Sequence, residues 1–446
     1  MFLRGARMRS LLAILFLAPA ALGQTYALRG TLITPDEVIE NGVVLVKDGV
    51  IEDAGANVTV PDNVNIVETH GFIYPGLIDL HNHLTWNAFP RWSAGTLTRN
   101  RYEWQATDSY AARLSGYQAK LRDAGCDLER FAEVKALVWG ATSTVGSLPL
   151  VCTKGLARNL DYYSGFFGTE AAKEPLQYRV FPLELKESDE KSVRDALAAD
   201  KPVIAHLCEG VDASAARELR MARAHGFLTK GFIIIHGVPL KDKDFAELGK
   251  NGVGFVWSPR SNIELYGATA DVASAKKYVT LAIAPDWSPS GSNGMLEEMR
   301  YAAIWNDQQF PPVFTNKELV QMATTNPAKL ARLDSKTGRL AKGLAADYVI
   351  VRASARDPYQ ALIYAAHDDV LAVAVAGRPL YGDETMMKAI NPNARVEPIS
   401  VCGAAKAVDM SDSDDGKGIS FADTKKNLIA AFRMFALPMA GLAECP

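Results

Sequence analysis

Between Pro75 and Ala284 short apolar runs alternate with stretches of helical periodicity, and this pattern constrains the fold more than any other feature. Runs of three to six mostly apolar residues without regular polar alternation read as strands buried on both faces, which occur where helices cover a parallel sheet. The runs are Leu77 to Leu80, Ala141 to Val145, Tyr178 to Leu183, Val203 to Ala205, Phe232 to Ile235, Gly254 to Trp257 and Leu281 to Ala284. Helical stretches such as Ser214 to His225 and Asp242 to Gly249 lie between them. A parallel α/β sheet or barrel follows, with seven strands evident and the eighth hard to place.

Two flanking regions have a different character. From Tyr26 to about Phe72, four short strands separated by turn residues predict a small antiparallel β unit. β character returns after the helical stretch Lys317 to Leu330, at Tyr348 to Val351 and Val370 to Val375, and the simplest reading joins it to the N-terminal unit. The predicted organisation is a β-sandwich domain from residues 24–72 and 338–385, a barrel over 73–337 and a C-terminal tail over 386–446. In the tail, Asp409 to Asp415 reads as a solvated acidic linker and a helix is expected around Asp423 to Phe435.

Residues 1–23 read as a signal peptide. Arg4, Arg7 and Arg9 precede the apolar run Leu11 to Leu22, and Ala21-Leu22-Gly23 is a small-residue cleavage pattern, so an exported chain starting near Gln24 is expected, periplasmic or secreted. No later segment is long and apolar enough for a membrane span. With 48 Lys+Arg against 51 Asp+Glu and no basic run, the sequence lacks the positive surface that nucleic-acid binding requires. Five cysteines suit an oxidising compartment, and the expected pairs are Cys126 with Cys152 and Cys402 with Cys445, leaving Cys208 free.

The seven histidines are unevenly placed. His81 and His83 follow the first strand two residues apart, so both imidazoles face one side of an extended chain. His206 ends the strand at 203–205, His236 ends that at 232–235, and Asp286 ends that at 281–284. In a parallel barrel the carboxyl ends of different strands converge on one mouth, and imidazoles with a carboxylate gathered there make a metal site. His70, His225 and His367 lie before a turn, at a helix end and in a polar loop, where structural roles prevail.

The strings Pro75-Gly76-Leu77-Ile78-Asp79-Leu80-His81-Asn82-His83, His206-Leu207-Cys208-Glu209, Ile235-His236-Gly237, Ser258-Pro259-Arg260-Ser261-Asn262 and Asp286-Trp287-Ser288-Pro289 occur in this order over some two hundred residues. From Gly71 to Asp383 the chain resembles the amidohydrolase superfamily, in the branch of guanine deaminase, cytosine deaminase and the triazine chlorohydrolases. The resemblance implies a distorted (β/α)8 TIM barrel with a small β-sandwich. It also implies one divalent metal on His81, His83, His206 and Asp286, zinc first and iron as the alternative that the same donors accept. Glu209, His236 and Asp286 would be the catalytic groups: Glu209 as proton shuttle, His236 orienting the attacking water, Asp286 accepting its proton. Trp86 and Trp287 are candidates to stack on a flat substrate, and Arg260 to hold a carboxylate or carbonyl.

The function expected is hydrolysis of a C–N bond in a small molecule by metal-activated water, either deamination of a heterocycle or cleavage of an amide. Two rivals stay open: a binuclear dipeptidase or prolidase-like hydrolase, and a noncatalytic ligand-binding relative. The resemblance also leaves room for a homo-oligomer.

Overall fold

The computed structural model describes residues 24–147, 156–161, 174–411 and 418–445. Residues 1–23, where a signal peptide is expected, Cys152 and most of the acidic stretch at 409–415 lie outside them. No helix among the described residues is long and apolar enough to cross a membrane.

Eight short parallel strands follow one another in chain order: β5 (Leu77–Ile78), β6 (Ala141–Thr144), β7 (Arg158–Asn159), β8 (Gln177–Arg179), β9 (Val203–Leu207), β10 (Phe232–His236), β11 (Gly254–Trp257) and β12 (Leu281–Ile283). They pair in two arcs, β5-β6-β7 and β8-β9-β10-β11-β12. A backbone hydrogen bond from Leu176 N to Leu160 O meets one junction and a parallel bridge between Asn82 and Asp286 meets the other. The parallel strands thus form two arcs with narrow junctions between them.

Burial on both faces explains the unbroken apolar runs. In β10, Ile233 and Ile235 pack inward with Ile78, Leu80, Val145, Ile204 and Val256, while Phe232 and Ile234 pack outward under the surrounding helices. The strand missing from the sequence reading is β7. It is two residues long, and one of them is Arg158, whose guanidinium makes a two-pronged pair with Asp347 at 2.7 and 2.9 Å, so no apolar run marks it.

The remaining strands make one nine-stranded sheet. Its members are β1 (Thr25–Ile33), β2 (Val38–Lys47), β3 (Val50–Gly55), β4 (Asn65–Pro75), β13 (Tyr348–Arg352), β14 (Val370–Val375), β15 (Arg378–Gly382), β16 (Glu397–Val401) and β17 (Ala404–Val408). The order β16-β17-β15-β14-β13-β4-β1-β2-β3 places the N-terminal and returning strands side by side, with β4 paired to β13. The N-terminal unit is mixed rather than antiparallel, since β1 runs parallel to β4. The sheet encloses its own apolar cluster, including Leu28, Val44, Ile73, Ile350 and Leu371. Tyr26 and Tyr348 share a hydroxyl–hydroxyl hydrogen bond of 2.8 Å inside it.

Residues beyond 386 contribute two strands to this sheet and a helix, Phe421–Met434, packed on the helix Gly125–Val138. Phe421, Leu428 and Phe432, spaced on one helical face, are buried in the same core as Phe131. Cys402 and Cys445 form a disulfide, Cys126 is disulfide-bonded, and Cys208 is a free buried thiol.

Candidate metal centre and active site

Four side chains from three strand ends meet at one point. His81 and His83 follow β5, His206 lies in β9, and Asp286 follows β12. Their ligand-type atoms all lie within 4.8 Å of one another, and no other group of three or more His, Cys, Asp or Glu donors is gathered this way among the described residues. His81 Nε2 is 2.9 Å from His206 Nε2 and 3.1 Å from Asp286 Oδ1; His83 Nε2 is 3.3 Å from His206 Nε2 and 3.5 Å from Asp286 Oδ1.

The donor chemistry fits a divalent metal. Burial holds the imidazoles of His81 and His206 well below the ordinary histidine range and lowers that of His83, so all three are neutral with lone pairs to offer. Neutral nitrogens crowded against each other and a carboxylate form a cradle of electron pairs that a cation of zinc type satisfies. His81 Nδ1 lies 2.7 Å from Ser258 Oγ, a contact that fixes the ring and leaves Nε2 turned to the other donors.

The backbone around the site is specialised. Asp79, buried, accepts hydrogen bonds from His81 N at 3.0 Å and Asn82 Nδ2 at 2.6 Å and so sets the turn that carries both histidines. Burial pushes its carboxyl up to about 8. Gly146 passes so close that a Cβ there would stand 2.0 Å from Asn82 O, and its φ of +85° suits only glycine. Cys208, His236 and Asp286, each beyond or at a strand end, take left-handed φ values of 57°, 74° and 66°. Such conformations in non-glycine residues cost on the order of 1–3 kcal/mol each and concentrate at functional sites.

Next to the donors is a cavity of about 220 Å³ walled by His83, Trp86, Trp104, Tyr110, Phe181 and Trp287, with Glu209, His206, His236 and Asp286 at its floor. Glu209 is buried, and its Oε2 lies 3.7 Å from His236 Nε2. His236 Nδ1 donates to Asn262 Oδ1 at 2.8 Å, which directs Nε2 into the cavity. Burial raises the Asp286 carboxyl, and His83 and His236 oppose that shift.

The structure thus gathers the seven residues His81, His83, His206, Glu209, His236, Asp286 and Trp287 in one place, with Trp86 on the cavity wall. Arg260 is elsewhere: it opens the helix Pro259–Tyr266 on the side of the helix Met295–Asp307, where its guanidinium pairs with Glu297 at 2.9 Å. It is not among the cavity's lining residues. Trp257 faces away as well, packed on Trp305 and Phe314. Sequence reasoning passed over Trp104 and Tyr266. Trp104 lies in the short helix Arg101–Gln105 and Tyr266 ends the helix Pro259–Tyr266, neither with a motif to mark it.

Residues 178–380 match the family model described as Amidohydrolase family. The 5-methylthioadenosine/S-adenosylhomocysteine deaminase of Caldicellulosiruptor saccharolyticus is 31% identical over 180 residues, a stretch covering 38% of this chain and 42% of that relative. The chain thus spans less than half of that relative's length. The 5'-deoxyadenosine deaminase of Methanosarcina barkeri is 25% identical over 391 residues, covering 78% of this chain and 90% of the relative. Among solved structures, an adenosine deaminase from Xanthomonas campestris with bound zinc superposes with a TM-score of 0.64 at 19% identity, covering 79% of this chain and 92% of the other. A zinc-containing variant of atrazine chlorohydrolase from Arthrobacter aurescens gives 0.65 at 17% identity, with coverage of 80% and 95%. Over residues 178–380, a little under half of its length, the chain is similar to the amidohydrolase family, and the solved structures share its fold.

Proposed function

We propose that the protein is a hydrolytic deaminase of adenosine-like aminated heterocycles, with one divalent metal, zinc by preference, on His81, His83, His206 and Asp286. The observation that carries this reading is the meeting of that donor set with Glu209 and His236 at the floor of one aromatic cavity. The single donor cluster among the described residues favours a mononuclear site over the dipeptidase alternative. The relatives named above, deaminases by description, support the choice of reaction. We read the two strand arcs as a distorted barrel carried by the β-sandwich, and the pattern of residues 1–23 as the basis for export.

A bound metal would supply nucleophilic water at neutral pH by lowering the water's pKa to about 7. The chain's own groups do the rest. Trp86, Trp104 and Trp287 hold a flat ring by stacking and edge contacts. His236 accepts a hydrogen bond from the attacking water through Nε2 and fixes its direction. Asp286 takes the proton released as the oxygen adds to the ring carbon. Glu209 protonates the adjacent ring nitrogen, and the C–N bond to the amine breaks once the amine has received a proton, so that water and substrate leave as a carbonyl product and ammonia.

The test is ammonia release from 5'-methylthioadenosine, adenosine, adenine and guanine by the zinc-loaded protein. The expected result is turnover of at least one of them that Glu209→Gln cuts to a small residual rate while metal content is retained. Turnover of dipeptides instead, or no ammonia from any of the four, would overturn the reading.

A further inference from the structure

Trp104, Tyr266 and Glu209 form one buried line of hydrogen bonds. Trp104 Nε1 donates to the Tyr266 hydroxyl at 2.8 Å, and that hydroxyl donates to Glu209 Oε1 at 2.6 Å. The direction of the line is forced. An indole N–H can only donate, so it occupies a lone pair of the phenol oxygen and leaves the single phenol proton for the carboxyl. Burial and the neighbouring Glu209 carboxylate push the Tyr266 phenol well above its ordinary range, which keeps it a donor throughout neutral pH.

The consequence falls on Glu209. Oε1 is the one acceptor found for the phenol proton among the described residues, and a proton on Oε1 would leave that phenol proton without a partner, so a proton carried by Glu209 is placed on Oε2, the oxygen 3.7 Å from His236 Nε2. The backbone is clamped to match. Cys208 N donates to Glu218 Oε2 at 2.7 Å, Arg101 N donates to Glu209 O at 3.3 Å, and Arg101 Nη2 bridges back to Glu218 Oε1 at 2.9 Å. One short helix, Arg101–Gln105, therefore supplies both the clamp through Arg101 and the head of the line through Trp104. Trp104 also forms part of the cavity wall.

We propose that Tyr266, held by Trp104, is a positioning residue that keeps the transferable proton of Glu209 on Oε2, the oxygen facing His236 and the reacting centre. The proposal rests on the deaminase reading above. In balanced form, Glu209 gives the Oε2 proton to the ring nitrogen while Tyr266 continues to donate to Oε1, so the carboxylate left behind is stabilised at the moment it forms and no proton leaves Tyr266. A tyrosine serving only as core packing would not distinguish the two carboxyl oxygens.

The experiment compares Tyr266→Phe, which keeps the ring and removes the hydroxyl, with the wild type on whichever of the four compounds the wild type deaminates. A hydrogen bond to a charged group corresponds to roughly 10- to 100-fold in rate. The expected result is a kcat lower by about that factor, with KM within about threefold and metal content unchanged. In a Glu209→Gln background the same change should leave the residual rate unaltered. Trp104→Phe, which preserves an aromatic wall and deletes the N–H, should lower kcat by a smaller factor and serves if Tyr266→Phe fails to fold. A Tyr266→Phe kcat within about twofold of wild type, or an equal loss in the Glu209→Gln background, overturns the proposal while leaving deamination standing. A wild type that releases no ammonia removes the deaminase reading and this inference together.

Discussion

Glu298 gives the protein a pH-dependent stability that one substitution should remove. The residue sits in the helix Met295–Asp307 with none of its surface exposed, accepting hydrogen bonds from Ser292 Oγ and from Arg260 N at 3.1 Å. Burial pushes its carboxyl from 4.5 up to about 8. Below pH 4.5 the folded and unfolded chains both hold the proton and the group makes no difference. As pH rises towards 8 the unfolded chain gives up a proton that the folded chain keeps, so stability is lost through that window. The two values correspond to a change on the order of 4 kcal/mol between pH 5 and pH 8. Glu298→Gln keeps the shape: the amide oxygen accepts from Arg260 N, and the amide nitrogen donates to Ser292 Oγ after the hydroxyl rotates. Urea unfolding followed by tryptophan fluorescence at pH 5, 6, 7 and 8 should show a variant close to wild type at the acid end and more stable by several kcal/mol at the alkaline end. Other titrating groups cancel in the difference. A wild-type-minus-variant difference constant across the range would refute the reasoning, because it would mean that Glu298 is not held protonated in the folded chain.

Elemental analysis of the zinc-loaded protein should give about one metal per chain, and His206→Ala should lose it. Ser258→Ala, which frees the His81 ring, should weaken metal affinity about 10- to 100-fold in a chelator competition while leaving the fold intact. Gly146→Ala should yield protein with little bound metal, since the added methyl collides with Asn82 between the two histidines; normal metal content would show that the turn has room to shift. Loss of the Cys402–Cys445 link, which spans 43 residues, should cost about 4 kcal/mol by chain entropy and expose the last ten residues to limited proteolysis.

The metal donors were legible because each stands at the end of a short apolar run, where alternation and strand direction dictate convergence: His206 and Asp286 needed only the strands that carry them. The sheet was legible for the same reason, as Tyr348 to Val351 and Val370 to Val375 are plain β runs. Less was readable where long-range pairing decides the structure. β7 exists because Arg158 finds Asp347, almost two hundred residues on, and no local pattern records that. The parallel pairing of β1 with β4 likewise depends on the third dimension, as does the burial of Phe421 and Phe432 against Phe131. Arg260 was misplaced because the sequence shows a cation beside the mouth but not the carboxylate of Glu297 that turns it away. Trp104 and Tyr266 carried no spacing signal at all, since their partnership joins the short helix Arg101–Gln105, before the second arc, to a helix end inside that arc.

The pairing of β4 with β13 also has a consequence in time. Some 270 residues separate Pro75 from its partner Tyr348, so a ribosome working at roughly 5–20 residues per second leaves the inner edge of β4 uncovered for about 14–55 s after it emerges. During that interval the nascent chain presents an unpaired strand rich in Ile, Phe and Tyr, the kind of edge that recruits chaperones or aggregates. Completion of the sheet is therefore postponed until nearly the whole polypeptide is available.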